Sequence, residues 1–427
     1  MELPKGLQVE VTNKCNFRCV YCLRNFWNIK VQDMPLASFK KLSSSFNEME
    51  KVVLYGLGEP LTNPNFMKMV QLARTSLKKD SEISFSTNGS LLNAKLAEKL
   101  LKEIGVNMIS FSFDTIETSA LERLRVGAET HTILENLKTV SKLKKFSKYP
   151  FSLAIEIVLM KDTLDYLPNL IEFAAQNGVD KILVTNLIPY TEALNAQQLY
   201  LTVSETSYNI VKDFLDEGWN IIHDAVMESH SITYTGKSVS SALEKYRMFW
   251  KKAEESGYWI NFPILLETKN NLELVEKTLQ VLKESAKLAS AYNIELQLPN
   301  QFADRKKRIC PYVDKDFAIV RVDGNVVPCM EFMYTHYEYV NLHKRLVREV
   351  VFGNVLEESL ENIWSSEKFK NFRILRKDLN KNFPWCGECV YSTLNCYYTL
   401  SSERDCMGNE DSCSECLYSV NIAQCML

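Results

Sequence analysis

Cys15, Cys19 and Cys22 are spaced C-x3-C-x2-C. Three thiolates this close suit an iron–sulfur cluster, and a [4Fe–4S] cluster takes four ligands. One iron is then served from elsewhere in the chain or left open to a small molecule. A zinc site or a redox thiol group is the competing reading. Zinc knuckles favour paired C-x2-C spacings with partners nearby, and no other Cys or His precedes His131. Of twelve cysteines, the remaining nine fall between 310 and 425. They are Cys310, Cys329 within Gly324-x4-Cys329, Cys386-x2-Cys389-x6-Cys396, Cys406, Cys413-x2-Cys416 and Cys425. In a reducing cell, thiols at this density read as metal ligands before disulfides, although two C-x2-C pairs also suit zinc. Two further four-iron clusters need eight ligands, so at least one of the nine is spare or has another role. His131, His223, His230, His336 and His343 show no ligand spacing.

Polar groups follow the first cysteines in order. Gly56-Leu-Gly58-Glu59-Pro60 directly follows an apolar run, in a chain with only 14 glycines. Scarce glycines mark places where the backbone needs them, here for close approach to a ligand. A carboxylate beside exposed carbonyls suits an ammonium group; a plain turn into a helix is the alternative. Ser86-Thr-Asn88-Gly89 is a polar segment or an ordinary turn. Asp114 follows another apolar run, Arg125 lies in Leu-Arg-Val-Gly, and Glu156 interrupts the apolar stretch Ala154–Val158. A carboxylate in such a run needs a partner, and a ribose hydroxyl or Arg125 would serve.

These groups must be held by regular elements. Gly6–Thr12, Lys51–Tyr55, Glu82–Ser86, Asn107–Phe113, Phe151–Leu159 and Lys181–Thr185 read as strands. Asn65–Ser76, Ala94–Ile104, His131–Leu143 and Leu164–Asn177 read as helices between them. Six such units predict an α/β fold with a parallel sheet, a partial (β/α)6 barrel of the TIM type. The cysteines and polar segments then sit at strand C-terminal ends, where barrel active sites are built. Residues 1–190 form this part. Residues 191–300 read as a mainly helical insertion, including Leu272–Ser290, with a last barrel strand Ile294–Leu298. Residues 301–427 are loop-rich, have few periodic segments, and need bound metal to offset a small core. Net charge is −3, which gives no reason to expect a nucleic-acid or membrane partner. There is no signal-peptide pattern and no apolar stretch of ~20 residues, so a soluble cytoplasmic chain is expected.

C-x3-C-x2-C with Tyr21 before its last cysteine resembles the radical S-adenosylmethionine (radical SAM) superfamily. The resemblance covers roughly residues 5–190, and it implies that the methionine moiety chelates the open iron. One electron then cleaves a carbon–sulfur bond, releasing a 5′-deoxyadenosyl radical that abstracts a hydrogen from substrate. It further implies cofactor binding by Gly56, Gly58, Glu59, Pro60, Ser86, Asn88, Asp114, Arg125 and Glu156. The C-terminal cysteines resemble the SPASM extension of such enzymes, which holds two auxiliary [4Fe–4S] clusters. By that pattern Cys310, Cys329 and Cys406 serve one cluster and Cys386, Cys389 and Cys396 the other, with closing ligands among Cys413, Cys416 and Cys425. Here x6 replaces x5, Cys406 lies further on, and an extra C-x2-C follows.

Asp405–Asn409, Cys413–Leu417, Phe352–Val355 with Ile363-Trp364, and Ile188–Tyr190 look like one branch of the group, the maturases found beside tungsten-containing aldehyde oxidoreductases. This implies a protein-bound or pterin target, a tungsten-containing oxidoreductase as partner, and a reductant such as ferredoxin or flavodoxin. The runner-up is a radical maturase of a ribosomal peptide. The few residues before the first strand leave no room for a peptide-docking module, which weighs against it. A non-catalytic electron carrier with several clusters leaves the three-cysteine set beside G-x-G-E-P unexplained.

Overall fold

The computed structural model describes residues 3–425, less 216 and 239. Its main sheet has ten strands: β1 (Gly6–Val9), β2 (Lys51–Val53), β3 (Glu82–Thr87), β4 (Met108–Ser112), β5 (Ser152–Leu159), β6 (Lys181–Asn186), β7 (Glu295–Gln297), β8 (Phe317–Val320), β9 (Asn325–Val327) and β10 (Gly353–Asn354). Their spatial order is β10-β9-β8-β1-β2-β3-β4-β5-β6-β7. The expected six strands lie side by side, all parallel. Alternating strands and amphipathic helices give this result because a parallel pair needs a crossover, and a helix supplies it. The architecture is α/β, an open barrel-type sheet, with no closure among the described strands.

The sheet extends past the six strands on both sides. β7, expected over Ile294–Leu298, pairs parallel with β6. β8 pairs parallel with β1, Gly6 opposite Phe317 and Val9 opposite Val320, and β9 and β10 continue antiparallel. This corrects the expectation for the C-terminal third. Its Ala318, Val320, Val326, Ile363, Trp364 and Phe369 are buried in the main core beside Leu7, Val9 and Val52. Phe-Ala-Ile-Val is apolar at every position because a central parallel strand is covered on both faces.

The middle region divides. Helices Glu205–Val211, Gly218–Thr235, Ala242–Glu255 and Phe262–Glu267 gather around a separate core containing Tyr208, Phe249, Ile260, Phe262 and Leu265. Leu272–Ala291 instead sends Leu282 and Ala289 into the main core, as the crossover helix before β7.

Candidate functional site

The strand-end loops of β1 to β6 surround a cavity of about 310 Å³. Cys15, Cys19 and Cys22 stand in one wall, with Gly56, Gly58, Glu59, Ser86, Asn88, Arg125 and Glu156 around it. The cysteine loop is tied at several points. Cys22 N–H donates to Cys19 O at 3.0 Å, and Arg24 Nε donates to Asn13 O at 2.9 Å. A short antiparallel pairing sets Cys19 opposite Arg125. Burial pushes the Cys19 thiol up to about 12 and raises Cys15 and Cys22. Thiols in such a place stay protonated until positive iron stabilises the thiolates. Among the described residues, no three His, Cys, Asp or Glu side chains converge on one metal ion. Cluster ligands need not converge in this way, because each cysteine binds a different iron.

The polar groups divide into those facing the cavity and those behind its wall. Pro60 and Asp114 are not among the residues that line it. Asp114 is fully buried and its oxygens are taken by protein donors. Arg125 binds both of them at 2.8 and 3.0 Å, the Tyr21 hydroxyl donates at 2.6 Å, and Val158 N–H at 2.9 Å. Arg125 therefore pairs with Asp114 and not with Glu156. The two-pronged bond locks the cysteine loop to β4 and β5.

Glu59 is also held by protein. Its carboxylate accepts from Asn88 N–H at 2.6 Å, Thr87 Oγ1 at 2.8 Å and Leu61 N–H at 3.1 Å, while burial pushes it up to about 7. The glycines before it serve close packing between loops. A Cβ on Gly56 would lie 2.3 Å from Glu10 Cγ, and one on Gly58 would lie 2.4 Å from Thr12 O. Glu10 went unnoticed in the sequence. It is fully buried and raised by burial, and it accepts from Leu57 N–H at 3.0 Å, Val322 N–H at 3.2 Å and the Tyr334 hydroxyl. A lone carboxylate in Val-Glu-Val was its only signal.

Glu156 differs from these. Ser86 Oγ donates to its Oε2 at 2.7 Å, but its Oε1 is shielded from solvent and has no partner. A buried carboxylate oxygen without a donor is costly; the Ser110 hydroxyl also acts on this carboxyl, and the residue borders the cavity. A ligand hydroxyl there would satisfy it, so the residues present fit a ribose-bearing cofactor. The far wall was not foreseen: Met330, Tyr418 and Gln424 reach it from the C-terminal third.

The nine C-terminal cysteines separate differently from the motif pattern. Cys310, Cys329, Cys413 and Cys416 share one small cavity. Cys406 is exposed, and Cys389 and Cys396 are its neighbouring thiols, with Cys386 beside Cys389. Cys406 thus belongs with the C-x2-C-x6-C run and not with Cys310. Cys413 and Cys416 fold back to Cys310, while Cys406 stays with its neighbours in sequence. Arg376 donates to Cys413 Sγ at 3.2 Å from a buried position. Between the sets lies the buried Arg345, paired with Glu331, Glu338 and Glu415.

Comparison with known proteins agrees with this geometry. Residues 9–174 match the radical SAM superfamily, and residues 310–390 match the SPASM iron–sulfur cluster-binding domain. The chain is a radical SAM enzyme with a SPASM extension. It is 29% identical, over 99% of its length and 97% of the relative's, to a tungsten-containing aldehyde ferredoxin oxidoreductase cofactor-modifying protein of Pyrococcus furiosus. A GTP 3′,8-cyclase of Brucella abortus is 29% identical over 49% of this chain and 60% of its own. Crystal structures of Streptococcus suis SuiB share the fold at 12% identity. The form bound to S-adenosylmethionine has a TM-score of 0.51, covering 87% of this chain and 68% of SuiB. The form bound to precursor peptide SuiA has 0.52, covering 93% and 72%. Both domain types imply S-adenosylmethionine and iron–sulfur clusters as the cofactors of this radical SAM chain. No helix among the described residues is long and apolar enough to cross a membrane.

Proposed function

We propose that the chain cleaves S-adenosylmethionine reductively and acts on a pterin or protein-bound target during maturation of a tungsten-containing oxidoreductase. The observation that carries the chemistry is the open cavity, with three thiols in one wall and the Glu156 carboxyl bordering it. Cys15, Cys19 and Cys22 would hold the cofactor's cluster, which when bound to S-adenosylmethionine supplies a 5′-deoxyadenosyl radical. Glu156 accepts from a ligand hydroxyl and sets its orientation. Gly56 and Gly58 present backbone close to the cysteine loop, and Glu59 fixes the Asn88 segment against it. Asp114 and Arg125 hold the loop rigid from behind. Phe17, Leu23, Leu57 and Val184 in the walls exclude water. Cys310, Cys329, Cys413 and Cys416 would hold one auxiliary cluster, and Cys386, Cys389, Cys396 and Cys406 a second, with ferredoxin or flavodoxin as electron donor. The target is supported by the full-length likeness to the cofactor-modifying protein of Pyrococcus furiosus.

Reconstituted protein with dithionite and S-adenosylmethionine should release 5′-deoxyadenosine and carry about twelve irons, three clusters of four. Zinc in place of iron, or no nucleoside, overturns the chemistry. Affinity capture from the source cell tests the target: a tungsten-containing oxidoreductase supports it, and a small ribosomal peptide replaces it.

A further inference from the structure

Eight of the C-terminal thiols form two sets of four, and the ninth stands apart. Cys425 lines the same cavity as Cys15, Cys19 and Cys22, near Thr185, Met330 and Tyr418. The tail that carries it is fastened. Gln424 N–H donates to Thr185 Oγ1 at 2.9 Å, and Gln424 Nε2 donates to Leu298 O at 2.8 Å. Asn186 N–H donates to Ile422 O at 3.3 Å. The Tyr312 hydroxyl is within hydrogen-bonding reach of its sulfur. Glu156, which lines the same cavity, is close enough to act electrostatically on the thiol. Cys425 and Glu156 therefore border one ligand-sized space. Cys310 also acts electrostatically on this thiol, and its set already has four members.

We propose that Cys425 is a catalytic thiol of the radical site and not a cluster ligand, giving a hydrogen atom to a carbon radical in the cavity. This rests on the S-adenosylmethionine reading above. An S–H bond is weaker than most C–H bonds, so the transfer runs downhill. The S–H bond breaks homolytically, a C–H bond forms, and the sulfur is left as a thiyl radical. One electron from a reduced iron–sulfur electron carrier and one proton from water restore the thiol. The substrate loses one hydrogen to the 5′-deoxyadenosyl radical and gains one from Cys425, so the product is an isomer of the substrate.

The test needs no substrate. Reconstituted protein is incubated in D2O with S-adenosylmethionine and dithionite, without added thiol. The exchanged Cys425 S–D then quenches the 5′-deoxyadenosyl radical, and mass spectrometry should find monodeuterated 5′-deoxyadenosine. In Cys425→Ser and Cys425→Ala the deuterium should fall to background with iron per chain unchanged. Equal deuterium in the variants overturns the proposal. A loss of about four irons per chain in both also overturns it, by making Cys425 a ligand. If the wild type releases no 5′-deoxyadenosine, the cleavage reading fails first and this proposal falls with it.

Discussion

The cavity at the strand ends and the cavity around Cys310 both gather cysteines, yet they are built for different work. The first has three thiols on one loop with Cys425 across from them, about 310 Å³ of space and the Glu156 carboxyl in its wall. The second has four thiols in about 20 Å³, closed in by Pro311, Phe332, Phe372 and Leu379. Its buried cation, Arg376, already donates to a cysteine sulfur. A vacant coordination position needs room beside it for what will bind, whereas a fully ligated centre needs only enclosure and charge balance. The space around the thiols separates chemistry from electron storage, which the shared cysteine content does not.

The sharpest way to break this contrast is to remove one thiol from each cavity. Cys19→Ala should abolish 5′-deoxyadenosine release by dithionite-reduced protein. Cys416→Ala should cost about four irons and leave that release in place. Nucleoside persisting in the first variant, or disappearing in the second, erases the distinction. Next in size is the support behind the open cavity. Asp114→Asn leaves the buried Arg125 without its charge partner and should destabilise the fold by about 3–5 kcal/mol in urea denaturation.

A third effect is pH dependence in iron-free protein. Folded Glu59 holds its proton up to about 7, against an ordinary value of 4.5. The folded state therefore binds more protons than the unfolded one between those values. Stability should fall as pH rises through that window, with the full cost, roughly 3 kcal/mol, reached above about 7. Glu59→Gln should flatten this part of the denaturation profile; an unchanged slope removes Glu59 as its source. The smallest effect sharpens the closed cavity. Arg376→Met deletes a charged hydrogen bond to Cys413, and the nearby cluster should become harder to reduce by about 60 mV, equivalent to ~1.4 kcal/mol for one electron. Potentiometric titration would show it, with iron content unchanged.

Much of the site was legible because its signals are local. The cysteine spacing, the six strands and the order of Gly56, Ser86, Asp114 and Glu156 all lie within about 180 residues of sequence. Which polar groups touch a ligand was not legible. Asp114 and Glu156 look alike in sequence, yet only the folded chain shows that donors occupy the first and leave one oxygen of the second bare. β8 was missed although Phe-Ala-Ile-Val between Asp316 and Asp323-Gly324 resembles a buried strand. Its partner, β1, is some 300 residues away in sequence, and nothing local announces such pairing.

The pairing of β8 with β1 also sets an order in time. β1 and its cysteine loop are made first, but Glu10 completes its bonds only with Val322 and Tyr334. At about 5–20 residues per second, β1 waits on the order of half a minute for its second neighbour. Until then the strand leading into Cys15 is an open sheet edge, exposed to wrong pairing. The cell's moment for safe cluster insertion at Cys15, Cys19 and Cys22 thus comes after synthesis of the last third of the chain.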